Sequence, residues 1–179
     1  IGADGVAAYG ILLNLGFLFN SVFIGYNMGV QQYIAYNYGE QNHSELTSLL
    51  RKSRTIVGTC GVLLWVISLC SAPLIATIFV GNGTNVHEIT VHATRIYTIS
   101  FLLSGLNMFA STWFTALGNG SVSAFISFTR TLVLELVAVF TLPLWFGIDG
   151  IWSAIIVAEI FAFILSQSLI FAFGKRYGY

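Results

Sequence analysis

Long apolar runs separated by short polar breaks are the feature of this sequence that most restricts its fold. Each run is long enough to cross a hydrocarbon core of ~30 Å, which takes about 20 helical residues. A helix closes its backbone hydrogen bonds internally, as a segment in lipid must. We therefore predict an all-α integral membrane protein, a bundle of about five transmembrane helices. The predicted helices cover residues 4–39, 53–80, 89–117, 122–146 and 151–173.

The composition supports this class and argues against others. Of the 179 residues, 56% are hydrophobic and 8% are charged. A soluble domain usually has about 25% charged residues, so there is too little charge here to cover a surface in water. The formal net charge of +0 argues against a nucleic-acid partner. The partner that the composition does imply is the lipid bilayer.

Lysine and arginine are distributed unevenly among the loops. Arg51, Lys52 and Arg54 follow the first predicted helix, and Lys175 and Arg176 follow the fifth. With five spans these two sites share one side, which the positive-inside rule makes cytoplasmic. We expect a multi-pass protein of the plasma (inner) membrane, with the N-terminus of this chain outside and its C-terminus in the cytoplasm. An outside start without a signal peptide leads us to expect an earlier helix before this chain.

Polar side chains recur along one face of three predicted helices. Lipid gives an amide or a hydroxyl no partner, so such a face lines a wet cavity or packs between helices. Interhelical packing is the alternative to a cavity, also for Glu159 and Ser166, which share a face of the fifth helix. We predict that a substrate cavity is lined by Asn20, Tyr26, Asn27 and Gln31 of the first helix and by Ser104, Asn107 and Ser111 of the third.

Charged residues within the predicted helices need a partner or a wet surface. Arg130 and Glu135 lie about 140° apart at α-helical spacing, so we do not expect them to pair. Arg130 lies nearer the predicted cytoplasmic end, where it can extend to the lipid headgroups. Glu135 and Glu159 are candidate sites for the coupling of a proton or a cation, with structural hydrogen bonding as the alternative.

Sequence patterns typical of enzymes are scarce. His87 and His92 resemble the zinc-protease motif HExxH, but the second histidine comes one residue late. The two imidazoles then face different sides of a helix and cannot share a zinc ion. We expect neither an enzyme, nor a metal site, nor an organic cofactor.

Several segments, in this order, resemble the multidrug and toxic compound extrusion (MATE) family, and specifically its C-terminal half. The resemblance is closest to the bacterial MepA-like branch. In that family, twelve helices form two six-helix lobes around a central cavity that opens alternately to each side. The resemblance implies that residues 1–179 are a partial C-terminal lobe whose first helix is missing. The segments are GVAAYG (5–10), YNYG (36–39) with Asn42, FTALGN (114–119), Arg130, and FGIDGIW (146–152) leading to Glu159.

The resemblance also implies a function. MATE transporters are secondary active antiporters that export drugs and other xenobiotic organic cations in exchange for Na⁺ or H⁺ by alternating access. A small-molecule drug and the missing N-terminal lobe would then be partners of this chain. Some branches use acidic residues on the seventh and tenth helices. Those roles cannot be transferred, because the matching segment 89–117 has no acidic residue.

Two alternatives to an antiporter stay open. A related lipid-linked oligosaccharide flippase would require a strongly basic cavity to hold a diphosphate. A non-transporting membrane assembly or scaffold subunit would bury its polar faces completely against partner helices.

Overall fold

In the computed structural model, five helical rods pack side by side, and the structure describes residues 2–179. The first, second and fifth rods are single helices, α1, α2 and α8. The third rod joins α3 to α4 through a 3-10 turn, and the fourth joins α5, a π-helical segment, α6 and α7. The bounds are α1 Gly2–Gly39, α2 His43–Val80, α3 Asn85–Tyr97, 3-10 turn Thr98–Ser100, α4 Phe101–Ala116, α5 Gly120–Phe128, π-helical segment Thr129–Leu134, α6 Glu135–Thr141, α7 Pro143–Phe146 and α8 Ile148–Tyr177.

The predicted all-α bundle of about five membrane helices is confirmed. The first, second, fourth and fifth rods are each long and apolar enough to cross a bilayer as one helix. The third rod is divided by its 3-10 turn into two shorter helices. No strand occurs in residues 2–179.

The second helix begins at His43, ten residues before the predicted start at residue 53. Asn42 caps it, because its side-chain oxygen accepts a hydrogen bond from the backbone N–H of Glu45 at 3.1 Å. Basic residues that seemed to mark a loop, among them Arg51 and Arg54, therefore lie on exposed turns of a helix that extends beyond its apolar part. Thr84 caps α3 in the same way, so this helix begins at Asn85, four residues before the predicted start at residue 89.

Helix α4 lies at the centre of the bundle and contacts α1, α2, α5 and α8. Its aromatic side chains Phe109, Trp113 and Phe114 are completely buried or nearly so. They form the larger of two apolar cores, and a second core lies around Leu12 and Trp152 near the other end of the bundle.

The two ends of the bundle are fixed by different contacts. At one end, Asn85 donates to Asp4 at 3.0 Å, and His92 lies 2.9 Å from Asp149. At the opposite end, the rings of Tyr38 and Tyr177 meet edge to face with centroids 5.7 Å apart. The start of α2 and the end of α8 thus lie at the same end of the bundle.

Helices α2 and α4 approach so closely at Gly61 that a larger residue does not fit. A Cβ atom at Gly61 would lie 2.7 Å from the backbone oxygen of Phe101, whereas one at Gly58 would meet nothing within 4 Å. We expect Gly61→Ala to destabilise the protein by ~1–3 kcal/mol through overpacking. The matched variant Gly58→Ala should be neutral or slightly stabilising. Thermal unfolding of the purified protein in detergent measures both, and equal effects would contradict the close approach.

Candidate functional site

A buried ion pair joins α8 to the π-helical segment. Glu159 is 2% exposed, and both of its carboxylate oxygens accept hydrogen bonds from Arg130. The Nη2 atom of Arg130 lies 2.6 Å from Glu159 Oε1, and its Nε atom lies 3.0 Å from the same oxygen. A buried charge requires a partner of opposite sign, and each residue here supplies it for the other.

An amide and a hydroxyl complete the hydrogen bonding around this ion pair. The Nδ2 atom of Asn107, on α4, donates to Glu159 Oε2 at 2.6 Å and to the backbone oxygen of Glu159 at 3.0 Å. The Oδ1 atom of Asn107 accepts from Ser166 Oγ at 2.9 Å. We call Asn107, Arg130, Glu159 and Ser166 the buried polar cluster. It links three rods, so here the polar faces of α4 and α8 pack against each other.

Arg130 does not extend to a helix end. Its side chain is 16% exposed and lies against Glu159. The side chain therefore pairs with Glu159 instead of extending to lipid headgroups, and the position of Arg130 nearer the cytoplasmic end stays a prediction. The physical reason is that a carboxylate on the neighbouring helix lies within hydrogen-bonding distance, which sequence spacing along one helix does not reveal.

Glu135 follows directly after the π-helical segment Thr129–Leu134, in the same rod as Arg130, with which it forms no salt bridge within residues 2–179. Hydrogen bonds in a π-helix run over five residues, so residues five apart lie on nearly the same face. The angle of about 140° that uniform α-helical spacing predicts for this pair therefore does not apply. Glu135 is half-buried. It forms no side-chain hydrogen bond with any of residues 2–179.

A polar groove of ≈ 260 Å³ opens between α1 and the fourth rod, with α4 as its floor. Ligand pockets usually measure about 300–1,000 Å³, so this groove is slightly smaller than a typical ligand pocket. Its wall also includes Arg130, which connects it to the buried polar cluster. The groove is lined by Ile24, Asn27, Met28 and Gln31 of α1, by Asn107, Met108, Ser111 and Thr112 of α4, and by Ile126, Ser127 and Arg130 of the fourth rod.

Asn27 has an unsatisfied acceptor beside this groove. Its side chain is 5% exposed, and its Oδ1 atom has no hydrogen-bond partner among residues 2–179. An unpaired amide oxygen in a buried position is costly, by roughly 1–3 kcal/mol. A ligand that donates an N–H or O–H to it would remove that cost.

Four of the seven predicted cavity residues line the polar groove, namely Asn27, Gln31, Asn107 and Ser111. Asn20 instead accepts a hydrogen bond from Ser104 at 3.3 Å, a second polar contact between α1 and α4.

Tyr26 lies outside the polar groove. Its hydroxyl donates to Ser53 on α2 at 2.9 Å, because residue 26 lies about 100° around α1 from Asn27. This aromatic ring is therefore part of the packing between α1 and α2.

The sequence did not indicate that Ser127 and Thr112 line the groove. Ser127 belongs to a chain of hydroxyls, in which Ser111 Oγ lies 2.7 Å from Ser127 Oγ and 2.8 Å from Ser123 Oγ. Serines at 123 and 127 follow the i, i+4 spacing of one helix face, a signal that could have been noticed. Among residues 2–179, no three histidine, cysteine or acidic side chains lie close enough to hold a metal ion.

Five apolar rods with a polar groove along one side define a multi-pass helical membrane protein. The chain belongs to the MatE family, whose model matches residues 1–141. Members of this family are membrane transporters and not enzymes. The resemblance to MATE proteins is thus confirmed, and the MepA-like branch stays a prediction. No curated protein matches the chain in sequence.

Solved structures of MATE transporters share this fold. One is the bent form of the Vibrio cholerae MATE transporter VcmN, at a TM-score of 0.90 and 20% identity, over 98% of this chain and 40% of that one. Another is the outward-facing conformation of a multidrug resistance MATE family transporter. Its TM-score is 0.87 at 21% identity, and the match covers 97% of this chain and 40% of that one. The inward-facing conformation of such a transporter matches with a TM-score of 0.80 at 21% identity, over 94% of this chain and 39% of that one. The chain spans about 40% of the length of these relatives.

Proposed function

We propose that this chain is the C-terminal lobe, lacking its first helix, of a secondary active antiporter that exports drugs or organic cations in exchange for Na⁺ or H⁺. The complete protein would alternate between outward and inward openings as this lobe moves against an N-terminal lobe. The observation that carries the proposal is the polar groove, because it brings polar side chains of α1, α4 and the fourth rod together on one side of a largely apolar bundle.

The charges next to the groove favour a cationic exchange partner. The apolar parts of the fourth and fifth rods contain two carboxylates, Glu135 and Glu159, and one guanidinium, that of Arg130, so the three groups together carry a net negative charge when both carboxylates are ionised. Glu159 is saturated with hydrogen bonds, whereas Glu135 has no partner among residues 2–179. In a low-dielectric surrounding an unpaired carboxylate strongly favours a cation or a proton next to it. We assign Glu135 as the coupling site of this lobe and Glu159 as the residue that fixes Arg130.

The walls of the groove suit an organic cation as cargo. Asn27 and Gln31 offer amide oxygens to N–H donors, and Met28 and Met108 offer flexible apolar contacts. Thioether side chains adapt to ligands of different shapes, as a multidrug site requires.

We expect Asn27→Leu in the complete protein to weaken drug efflux by roughly tenfold, since one hydrogen bond to a charged donor is worth about 1.5–3 kcal/mol. Efflux of a fluorescent organic cation from cells measures the effect. Asn14→Leu is the matched control, because Asn14 is exposed on the same helix and its amide donates only to the backbone oxygen of Gly10. Unchanged efflux in Asn27→Leu, and in the triple replacement of Asn20, Asn27 and Asn107 by leucine, would contradict the cavity.

A flippase for lipid-linked oligosaccharides is less well supported than an antiporter. It needs net positive charge in its cavity to bind a diphosphate, whereas Arg130 is neutralised by Glu159. Arg95 lies far from the groove, near Glu88 and His92 at one end of the bundle.

A non-transporting scaffold subunit makes a different prediction for the groove. If partner helices filled it, a cysteine at position 31, which lines the groove and is only half-buried, would be shielded from water. An antiporter cavity would leave this cysteine open to a charged maleimide. The measurement needs Cys60 and Cys70 replaced first, because both are free thiols.

A further inference from the structure

A second groove, away from the polar groove, lies between the start of α2 and the end of α8. We call it the basic groove; its volume is ≈ 610 Å³. Arg54 of α2 and Lys175 of α8 stand on its two sides, and Leu50, Ile170 and Phe171 form an apolar wall. Helices α2 and α8 are separated here, since each packs on α4 rather than on the other.

The cations of the basic groove lack anionic partners. Arg54 and Lys175 form no salt bridge with any acidic group in residues 2–179. Lys52 is paired with Glu45, and Arg176 lies over the rings of Phe173 and Tyr177 at 5.8 and 5.7 Å.

The basic groove continues into a hollow that adds a third cation. This hollow of ≈ 320 Å³ shares Leu50 and Arg54 with the groove and is completed by Thr47, Arg51 and Thr55. Arg51 also forms no salt bridge within residues 2–179. The groove and the adjoining hollow are thus lined by three cations, with Arg54 shared between the two.

The apolar wall of the basic groove lies next to these cations. Phe171 is 90% exposed, although it is a large aromatic residue one turn before Lys175. Gln167 lies two turns before Lys175, about 12 Å nearer the middle of the helix, and its amide also lines the groove. A ligand that fills the groove therefore needs a charged end and a long apolar part.

The end of α8 is held in place, so the groove is preformed. The Tyr179 hydroxyl donates to the backbone oxygen of Ile170 at 3.1 Å. The Tyr179 ring meets Trp113 edge to face, with centroids 5.1 Å apart. Gly178 adopts a left-handed conformation with φ of 75°, which lets the chain turn back onto the helix.

We propose that the basic groove binds one anionic phospholipid, with its phosphate on Arg54, Lys175 and Arg51 and an acyl chain along Ile170 and Phe171. A soluble anion would use the cations but leave the apolar wall in contact with water. A zwitterionic lipid would match the wall but would place its own ammonium group among three cations. Basic pockets between transmembrane helices are a recognised mode of anionic lipid binding.

The test uses the complete protein, delipidated in detergent and titrated with phosphatidylglycerol while native mass spectrometry counts the bound lipids. We expect the double variant Arg54→Gln/Lys175→Gln to bind phosphatidylglycerol about thirty-fold more weakly, or ~2 kcal/mol, because each interfacial cation contributes about 1 kcal/mol. Binding of phosphatidylcholine with the same acyl chains should not change. Arg176→Gln is the matched control, which removes one charge from the same end but outside the groove, and should keep wild-type affinity.

Two further measurements keep the proposal falsifiable if the double variant does not fold. The charge-preserving variant Arg54→Lys/Lys175→Arg should retain phosphatidylglycerol affinity within about threefold, and each single glutamine variant should lose about fivefold. Equal affinity for the two lipids, or equal loss in Arg176→Gln, would overturn the proposal. It would also be overturned if inorganic phosphate competed with the lipid at equal strength. The same holds if another helix of the protein filled the groove, in which case lipid affinity would be the same in the wild type and in all the variants.

Discussion

Replacement of Arg130 by methionine is expected to be among the most damaging single changes in this chain. Methionine has a similar length but removes the guanidinium that supplies three hydrogen bonds to Glu159. Removing one partner of a buried ion pair leaves an uncompensated charge and costs about 3–5 kcal/mol. We expect a large drop in the thermal unfolding temperature in detergent and a low yield of folded protein.

The double variant Arg130→Met/Glu159→Gln separates loss of the pair from loss of one partner. It removes both charges while glutamine can still accept from Asn107, so stability should recover to within about 1–2 kcal/mol of the wild type. Arg95→Met is the control, since Arg95 is an exposed basic residue and should tolerate the change. If the double variant were as unstable as Arg130→Met, the unpaired charge of Glu159 would not be the cause of the lost stability.

Replacement of Glu135 by glutamine is expected to abolish ion-driven efflux while the protein still folds and binds drug. Glutamine keeps the size of the side chain but cannot carry the negative charge that attracts a proton or Na⁺. Because Glu135 has no hydrogen-bond partner among residues 2–179, stability should change little. Drug efflux should fall at least tenfold, and drug binding measured by fluorescence should remain.

The coupling ion is identified by measuring efflux in sodium-free buffer and in buffer of clamped pH. If Na⁺ is the ion, wild-type efflux needs sodium and Glu135→Gln loses that dependence; if H⁺ is the ion, the same holds for the pH gradient. Glu88→Gln is the control, because Glu88 is an exposed carboxylate at the end of the bundle. Normal coupled efflux in Glu135→Gln would exclude Glu135 as the coupling site.

The helices and their polar faces could be predicted from the sequence because they depend on local periodicity. Apolar runs fix the spans, and a spacing of about 100° per residue puts Asn27 and Gln31 on one face of α1 and Asn107 and Ser111 on one face of α4. These four side chains do meet in the polar groove. Tyr26 does not line the polar groove, although helical spacing places it next to this polar face, since an aromatic ring there can equally pack against another helix.

The charged residues could not be assigned from the sequence. A π-helical segment has no simple sequence signature, and it changes the direction of every later side chain in its rod. As predicted, Arg130 and Glu135 form no salt bridge with each other within residues 2–179, but spacing along one helix could not reveal that Arg130 pairs with Glu159 of the neighbouring rod.

By itself, the sequence determined that this is an all-helical membrane chain and which side of each helix is polar, since hydrophobic length and helical periodicity are local properties. Only the tertiary structure decided which polar side chains satisfy one another. Arg130 and Glu159 are 29 positions apart, and Asn107 and Glu159 are 52 apart. Pairing over such separations depends on how the rods pack. Within residues 2–179, that packing leaves Glu159 saturated, the Oδ1 atom of Asn27 and the carboxylate of Glu135 without hydrogen-bond partners, and the cations of the basic groove without salt bridges.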